Sequence, residues 1–249
     1  MVNAALSIGA AVGVLLSAGF VYWQVGRYAA PQVEATRFDE RKEMIAYTAG
    51  LFVGIPLVVP LLFLFAAIPP FEIGGIAVYL AALVGGSELA QWLVLRSVYF
   101  GKDGSGPFYA LGFRAGLAGL LILGLVTQFF AQSQTPAIGI AGIVSVSVAI
   151  LALEVLCAIL ALPRRADRPG RTTGPFSAVP LEALGFFFLG FALGSGPPVA
   201  IVGGVLIAAM AGWLYRSAAF PNLDRIPPPG ASIAPKEETN SPFGRVDRP

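Results

Sequence analysis

The sequence predicts an all-α fold: a polytopic membrane helix bundle of about seven transmembrane helices, with the N-terminus outside and the C-terminus in the cytoplasm. Three observations lead there. Hydrophobic residues make up 56% of the chain and charged residues only 12%, with a mean hydropathy of +0.77. A soluble domain carries about a quarter charged residues, so half that share points to lipid. Long apolar runs recur along the chain, and the basic residues fall in alternate connections between them.

A helix crossing the ~30 Å hydrocarbon layer needs ~20 largely apolar residues. The candidate spans are 4–25, 44–68, 73–95, 107–131, 137–162, 176–194 and 199–215. These runs are too long and unbroken for the alternating strands of a membrane barrel. Inside lipid the backbone must satisfy its own hydrogen bonds, which makes each run a helix. The first has no basic stretch before it and exceeds the ~7–15 apolar residues of a signal peptide, so it reads as a retained helix with its N-terminus outside. The sixth is short and ends in Gly194-Ser195-Gly196-Pro197-Pro198, which leaves open two crossings or a re-entrant pair.

Orientation follows from lysine and arginine. Arg27, Arg37, Arg41 and Lys42 occupy the first connection, Arg96 and Lys102 the third, and Arg164, Arg165, Arg168 and Arg171 the fifth. Arg216, Arg225, Lys236, Arg245 and Arg248 follow the last span, and the second, fourth and sixth connections have none. Fifteen of the 16 basic residues thus lie on one side. The aromatic residues Tyr22, Trp23, Tyr47, Trp92, Tyr99, Tyr109, Trp213 and Tyr215 fall near that same face as interfacial anchors.

Residues 1–217 form the transmembrane domain by this reading, and 218–249 a Pro-rich, disordered cytoplasmic tail with too little apolar mass for a core. Residues 31–43 suggest a short interfacial helix capped by Thr36, and the Arg-rich stretch 163–180 suits anionic headgroups.

The sixteenth basic residue, Arg114, lies inside the fourth span, and Glu88 and Glu154 lie inside the third and fifth. Glu88 precedes Arg96 by eight residues, Arg114 follows Gly106 by eight, and Glu154 precedes residue 163 by nine. At ~1.5 Å per residue all three reach about 12–14 Å deep, in consecutive helices. Ionised groups at that depth are costly unless paired, so Arg114 is expected to face Glu88 and Glu154, with Gln91 helping to satisfy it. Such a group is a structural staple fixing helix order, a ligand or partner site, or a catalytic centre. Glycine pairs at GxxxG spacing, Gly50/Gly54, Gly112/Gly116 and Gly190/Gly194, mark faces suited to close helix packing.

The chemistry missing from the chain narrows function. There is no histidine, which removes Ser-His and Cys-His dyads, histidine-ligated zinc and HExxH helices. No aspartate lies in a span, so an intramembrane aspartyl dyad is excluded as well. Cys157 alone supports neither a disulfide framework nor a Cys-rich metal site. The segment 101–106, GKDGSG, is a turn and not a phosphate-binding loop. No metal or other cofactor is expected, and no nucleic acid; the partners are the lipid bilayer and other membrane proteins.

Residues 85–119, GGSELAQWLVLRSVYFGKDGSGPFYALGFRAGLAG, resemble the core of the CAAX-protease/PrsW/YhfC-like intramembrane protease superfamily. The likeness is an acidic helix with basic residues at its cytoplasmic end, a short loop and a Gly-rich helix. Glu88 matches one member of the superfamily's acidic pair and Ser87 departs from the other. Phe113 stands where the resemblance would place a histidine, and Glu154 resembles an acidic residue of a later helix. With every histidine missing, the superfamily's hydrolysis does not carry over. The seven-helix scaffold subunit of gamma-secretase, a non-catalytic branch, is similar in layout. The resemblance implies a pseudo-protease scaffold or regulatory subunit packing against partner helices. The alternatives are an active protease using Glu88 and Glu154, and a small-solute transporter or binder.

Overall fold

The computed structural model describes residues 2–29, 37–67, 73–97, 99–100, 105–126, 136–160, 178–219 and 223. Thr36, residues 101–104 of the turn expected at 101–106, residues 163–177 of the Arg-rich stretch 163–180 and, Leu223 aside, residues from 220 onward lie outside them. The described residues form seven α-helices and no strand: α1 (Val2–Tyr28), α2 (Glu40–Ala67), α3 (Ile73–Leu95), α4 (Gly106–Leu121), α5 (Pro136–Leu160), α6 (Val179–Gly194) and α7 (Pro197–Leu214). This is a helical membrane bundle: five of the helices are long and apolar enough to cross a bilayer, and α3 and α6 add the shorter apolar stretches Leu80–Leu95 and Val179–Leu193.

Local sequence sets the helix ends. The Oδ1 of Asp39 accepts the Arg41 N–H at 2.9 Å and caps α2. The helix therefore starts four residues before the apolar run, absorbing Glu40–Glu43 into its first turn. Proline opens α4, α6 and α7, where its missing N–H costs no helical bond. Between α6 and α7 the chain reverses at Ser195-Gly196, and Gly196 takes a φ of 103°, which favours glycine. Both α4 and α7 end in a π-helical turn, Ile122–Val126 and Tyr215–Ala219.

The centre of the bundle is α4. Every residue from Phe108 to Gly119 is buried, and α1, α2, α3 and α5 pack around it, with α7 against the outer side of α5. A helix enclosed all round must be apolar or small on every face, and GLAG in α4 lets neighbouring backbones come near. A Cβ on Gly116 would lie 2.1 Å from the Tyr47 carbonyl oxygen, and one on Gly50 1.9 Å from that of Phe113. Gly54 faces the Leu120 side chain and Gly112 the Glu43 carboxylate. The glycine pairs of α2 and α4 thus pack against one another inside the chain. Gly190 does not: no described residue lies within 4 Å of its Cβ position. The packed stripe of α6 runs through Glu182, Phe186, Leu189 and Ala192, off which Gly190 falls, and Gly194 ends the helix.

Outward faces carry large apolar side chains such as Leu15, Phe52, Phe191 and Trp213, each more than 60% exposed, as lipid-facing positions require. Two tyrosines expected as interfacial anchors are instead internal. The Tyr109 hydroxyl accepts the Asp39 N–H at 3.3 Å, and the Tyr47 and Ser17 hydroxyls share a hydrogen bond of 3.1 Å. Tyr22, Trp23 and Trp213 are exposed, and the Arg96 guanidinium sits 4.8 Å from the Trp92 ring.

Candidate functional site

Four helices converge on Arg114, whose side chain has no solvent exposure. One turn of α3 supplies Ser87, Glu88 and Gln91; the three- and four-residue spacings put Gln91 on the same face as the other two. From α5 comes Glu154, and from the first turn of α6 Glu182, beside the helix N-terminus, where a carboxylate is favoured by the helix dipole.

The guanidinium uses its donors in three directions. Its Nη2 donates to Glu88 Oε1 at 2.7 Å, and its Nη1 donates to Glu154 Oε2 at 2.7 Å and to Glu182 Oε1 at 3.0 Å. Its Nε donates to Gln91 Oε1. Four of its five N–H groups are thereby placed. The Ser87 hydroxyl donates to Glu182 Oε1 at 2.7 Å. Glu88 is 1% exposed, Gln91 3%, and Ser87, Glu154 and Glu182 are fully enclosed. Charges so far from water need good geometry, and arginine's planar fork suits this role better than a point charge would; Glu154 Oε1 and Glu182 Oε2 have no partner among the described residues.

The structure thus brings Glu88, Gln91, Arg114 and Glu154 into one group. Glu182 and Ser87 complete it. Glu182 had a sequence signal: no other charged residue occurs between Arg171 and Arg216. Its position near the start of a span makes it look like an interfacial acid. Ser87 carries no charge of its own, yet a carboxylate from α6 docks on its hydroxyl in space. Phe113 is buried, with its carbonyl oxygen against Gly50. Cys157, one turn from Glu154, is a buried free thiol. Among the described residues no three His, Cys, Asp or Glu side chains are placed to hold a metal ion.

The Ser87–Glu182 bond makes a prediction. Ser87→Ala should leave the fold intact and lower stability by about 1.5–3 kcal/mol, the worth of a hydrogen bond to a charged acceptor. Thermal unfolding in detergent checks this, and an unchanged melting temperature would separate Ser87 from the cluster.

Comparison of the chain with protein-family models, with curated proteins and with solved structures finds no match in any of the three.

Proposed function

We propose that this chain is a non-catalytic integral membrane protein, a pseudo-protease-like scaffold or regulatory subunit that packs against partner membrane helices. The observation that carries the reading is the closure of the Arg114 group. Both carboxylates that a hydrolase would need, Glu88 and Glu154, are bound to separate nitrogens of one sealed guanidinium. A pair of carboxylates splits general acid from general base when their environments differ; a shared cation between them opposes that division. The superfamily-like layout of 85–119, without a histidine, fits the same reading. With the basic residues at the cytoplasmic face, the N-terminus is outside and the C-terminus inside.

As a staple, the group fixes the order of α3, α4, α5 and α6 and leaves the outer faces for partners. The α2 and α4 glycine pairs are used internally, so partner helices meet other surfaces, among them the open Gly190 side of α6. Gentle purification from native membranes with in-membrane crosslinking tests this. A reproducible membrane-protein neighbour crosslinked through α6 is the expected result; a lone monomer without crosslinked neighbours would overturn it. Impermeant thiol labelling of cysteines placed near residue 2 and beyond residue 219 should modify only the former in intact cells.

A second reading, a binder or transporter of a small cationic solute, is favoured by one observation. Three carboxylates meet a single guanidinium, and Glu154 Oε1 has no hydrogen-bond partner among the described residues. Saturable uptake or binding of an amine by the purified protein, lost in Glu154→Gln, would move the assignment there.

A further inference from the structure

The opposite side of α4 carries a polar group that the Arg114 cluster does not use. Glu43, in the first turn of α2, has no solvent exposure, and neither of its carboxylate oxygens has a hydrogen-bond partner among the described residues. Gln24 of α1 is equally enclosed. Its Nε2 donates to the Phe108 carbonyl at 3.3 Å, and its Oε1 has no partner among the described residues. The two side chains meet one turn of α4. Gln24 is held at Phe108, and Glu43 lies at Gly112, four residues on, with Oε1 2.5 Å from where a Cβ would stand. Since a helix bonds the N–H of residue i to the carbonyl of i−4, Phe108 and Gly112 adjoin. A glycine at 112 is what opens this seat for the carboxylate.

Both Glu43 oxygens and Gln24 Oε1, on side chains that touch the same turn of α4, thus have no donor assigned to them among the described residues. Among the described residues, the charged side chains of these segments are engaged elsewhere, Arg27 lying 5.5 Å from the Tyr28 ring centroid. The Lys42 Nζ lies over the Tyr99 and Tyr109 rings at 5.6 and 5.8 Å, and Arg37 Nη1 donates to the Leu223 carbonyl. Asp39 Oδ1 caps α2, Glu40 and Arg41 are exposed, and Arg114, two residues past Gly112, points to the other face of α4. At this level the Phe38 ring stacks on Phe108 with centroids 4.7 Å apart, and the Tyr28 ring tilts against Phe108 at 5.1 Å. A buried carboxylate without a counter-charge is strongly disfavoured. An all-oxygen donor set calls for a hard cation, and a single carboxylate balances a single positive charge. We infer that Glu43 and Gln24 form a binding site for a monovalent alkali cation, Na⁺ or K⁺, that ties α1 and α2 to α4.

The test is thermal unfolding of the full chain in detergent, titrated with NaCl or KCl against choline chloride at matched ionic strength. One of the two alkali salts should raise the melting temperature by several degrees with saturation, as ligand linkage requires, while choline does not. Glu43→Gln should abolish the effect, and Gln24→Met should weaken apparent binding by roughly tenfold. Should Glu43→Gln not fold, Gln24→Met and Gly112→Ala, which drives the carboxylate off its seat, carry the test. Equal shifts with choline, or an undiminished alkali effect in the variants, would overturn the site. So would stability that follows pH but no cation, the mark of a carboxyl kept neutral by a proton.

Discussion

Arg114→Leu should be the most damaging single substitution in this protein, lowering stability by about 3–5 kcal/mol. The loss comes less from the contacts removed than from what stays behind. Glu88, Glu154 and Glu182 are all within 3.0 Å of the guanidinium and almost wholly enclosed, so its removal leaves three acids facing one another without water or a cation. Arg114→Lys should recover only part of the loss. An ammonium keeps the charge but cannot reach Glu88, Glu154, Glu182 and Gln91 together with the geometry of a planar fork. Melting curves in detergent should show Arg114→Leu lower by roughly 10 °C or more, with Arg114→Lys between it and the parent chain.

The second large effect is steric. Gly116→Leu and Gly50→Leu each put a side chain where a backbone carbonyl already lies, 2.1 Å and 1.9 Å from the new Cβ. No rotamer relieves a clash with main chain, so α2 and α4 must part. Overpacking of a tight core costs about 1–3 kcal/mol even for modest additions, and parting two helices along this seam should exceed that and disperse the fold. Gly54→Ala should be milder, because its nearest contact is the Leu120 side chain at 2.9 Å, which can shift. Gly19→Ala and Gly26→Ala are the controls: no described residue lies within 4 Å of either Cβ position, and replacing a helical glycine by alanine should gain up to about 1 kcal/mol. Monodispersity on size exclusion and melting temperature rank the series. If Gly116→Ala and Gly19→Ala behaved alike, the α2–α4 contact would not be as described.

How much of this was legible follows from which physical signals are local. Helix existence was written in apolar runs that no other structure in lipid can accommodate, and α3 spans the same 73–95 in sequence and structure. The Arg114 group showed itself because Glu88, Arg114 and Glu154 are isolated charges at matching depths, a one-dimensional measure that survives without coordinates. Glu182 and Glu43 escaped because each lies within a turn or so of a helix start, where charge is ordinary. Only the packing of α4 against α2, and of α3 against α6, reveals that these ends are enclosed. Gly50 and Gly116 announced close approach, yet the identity of the neighbour is a property of topology, and the same motif at Gly190 finds no neighbour among the described residues. Tyr47 and Tyr109 show the converse: their types suggested an interface, and the hydroxyls of Ser17 and the N–H of Asp39 drew them inside.

The most direct test of the Arg114 group as a staple replaces all of its charges at once. Arg114→Met combined with Glu88→Met, Glu154→Leu and Glu182→Leu removes the cation and the three acids together, leaving an apolar junction of similar volume. If the group serves to hold α3, α4, α5 and α6 in order, this quadruple variant should melt within a few degrees of the parent chain, well above Arg114→Leu alone, and should keep its crosslinked neighbours. A quadruple variant as unstable as Arg114→Leu, or one that is stable but has lost its neighbours, would contradict the staple and give the buried charges a task of their own.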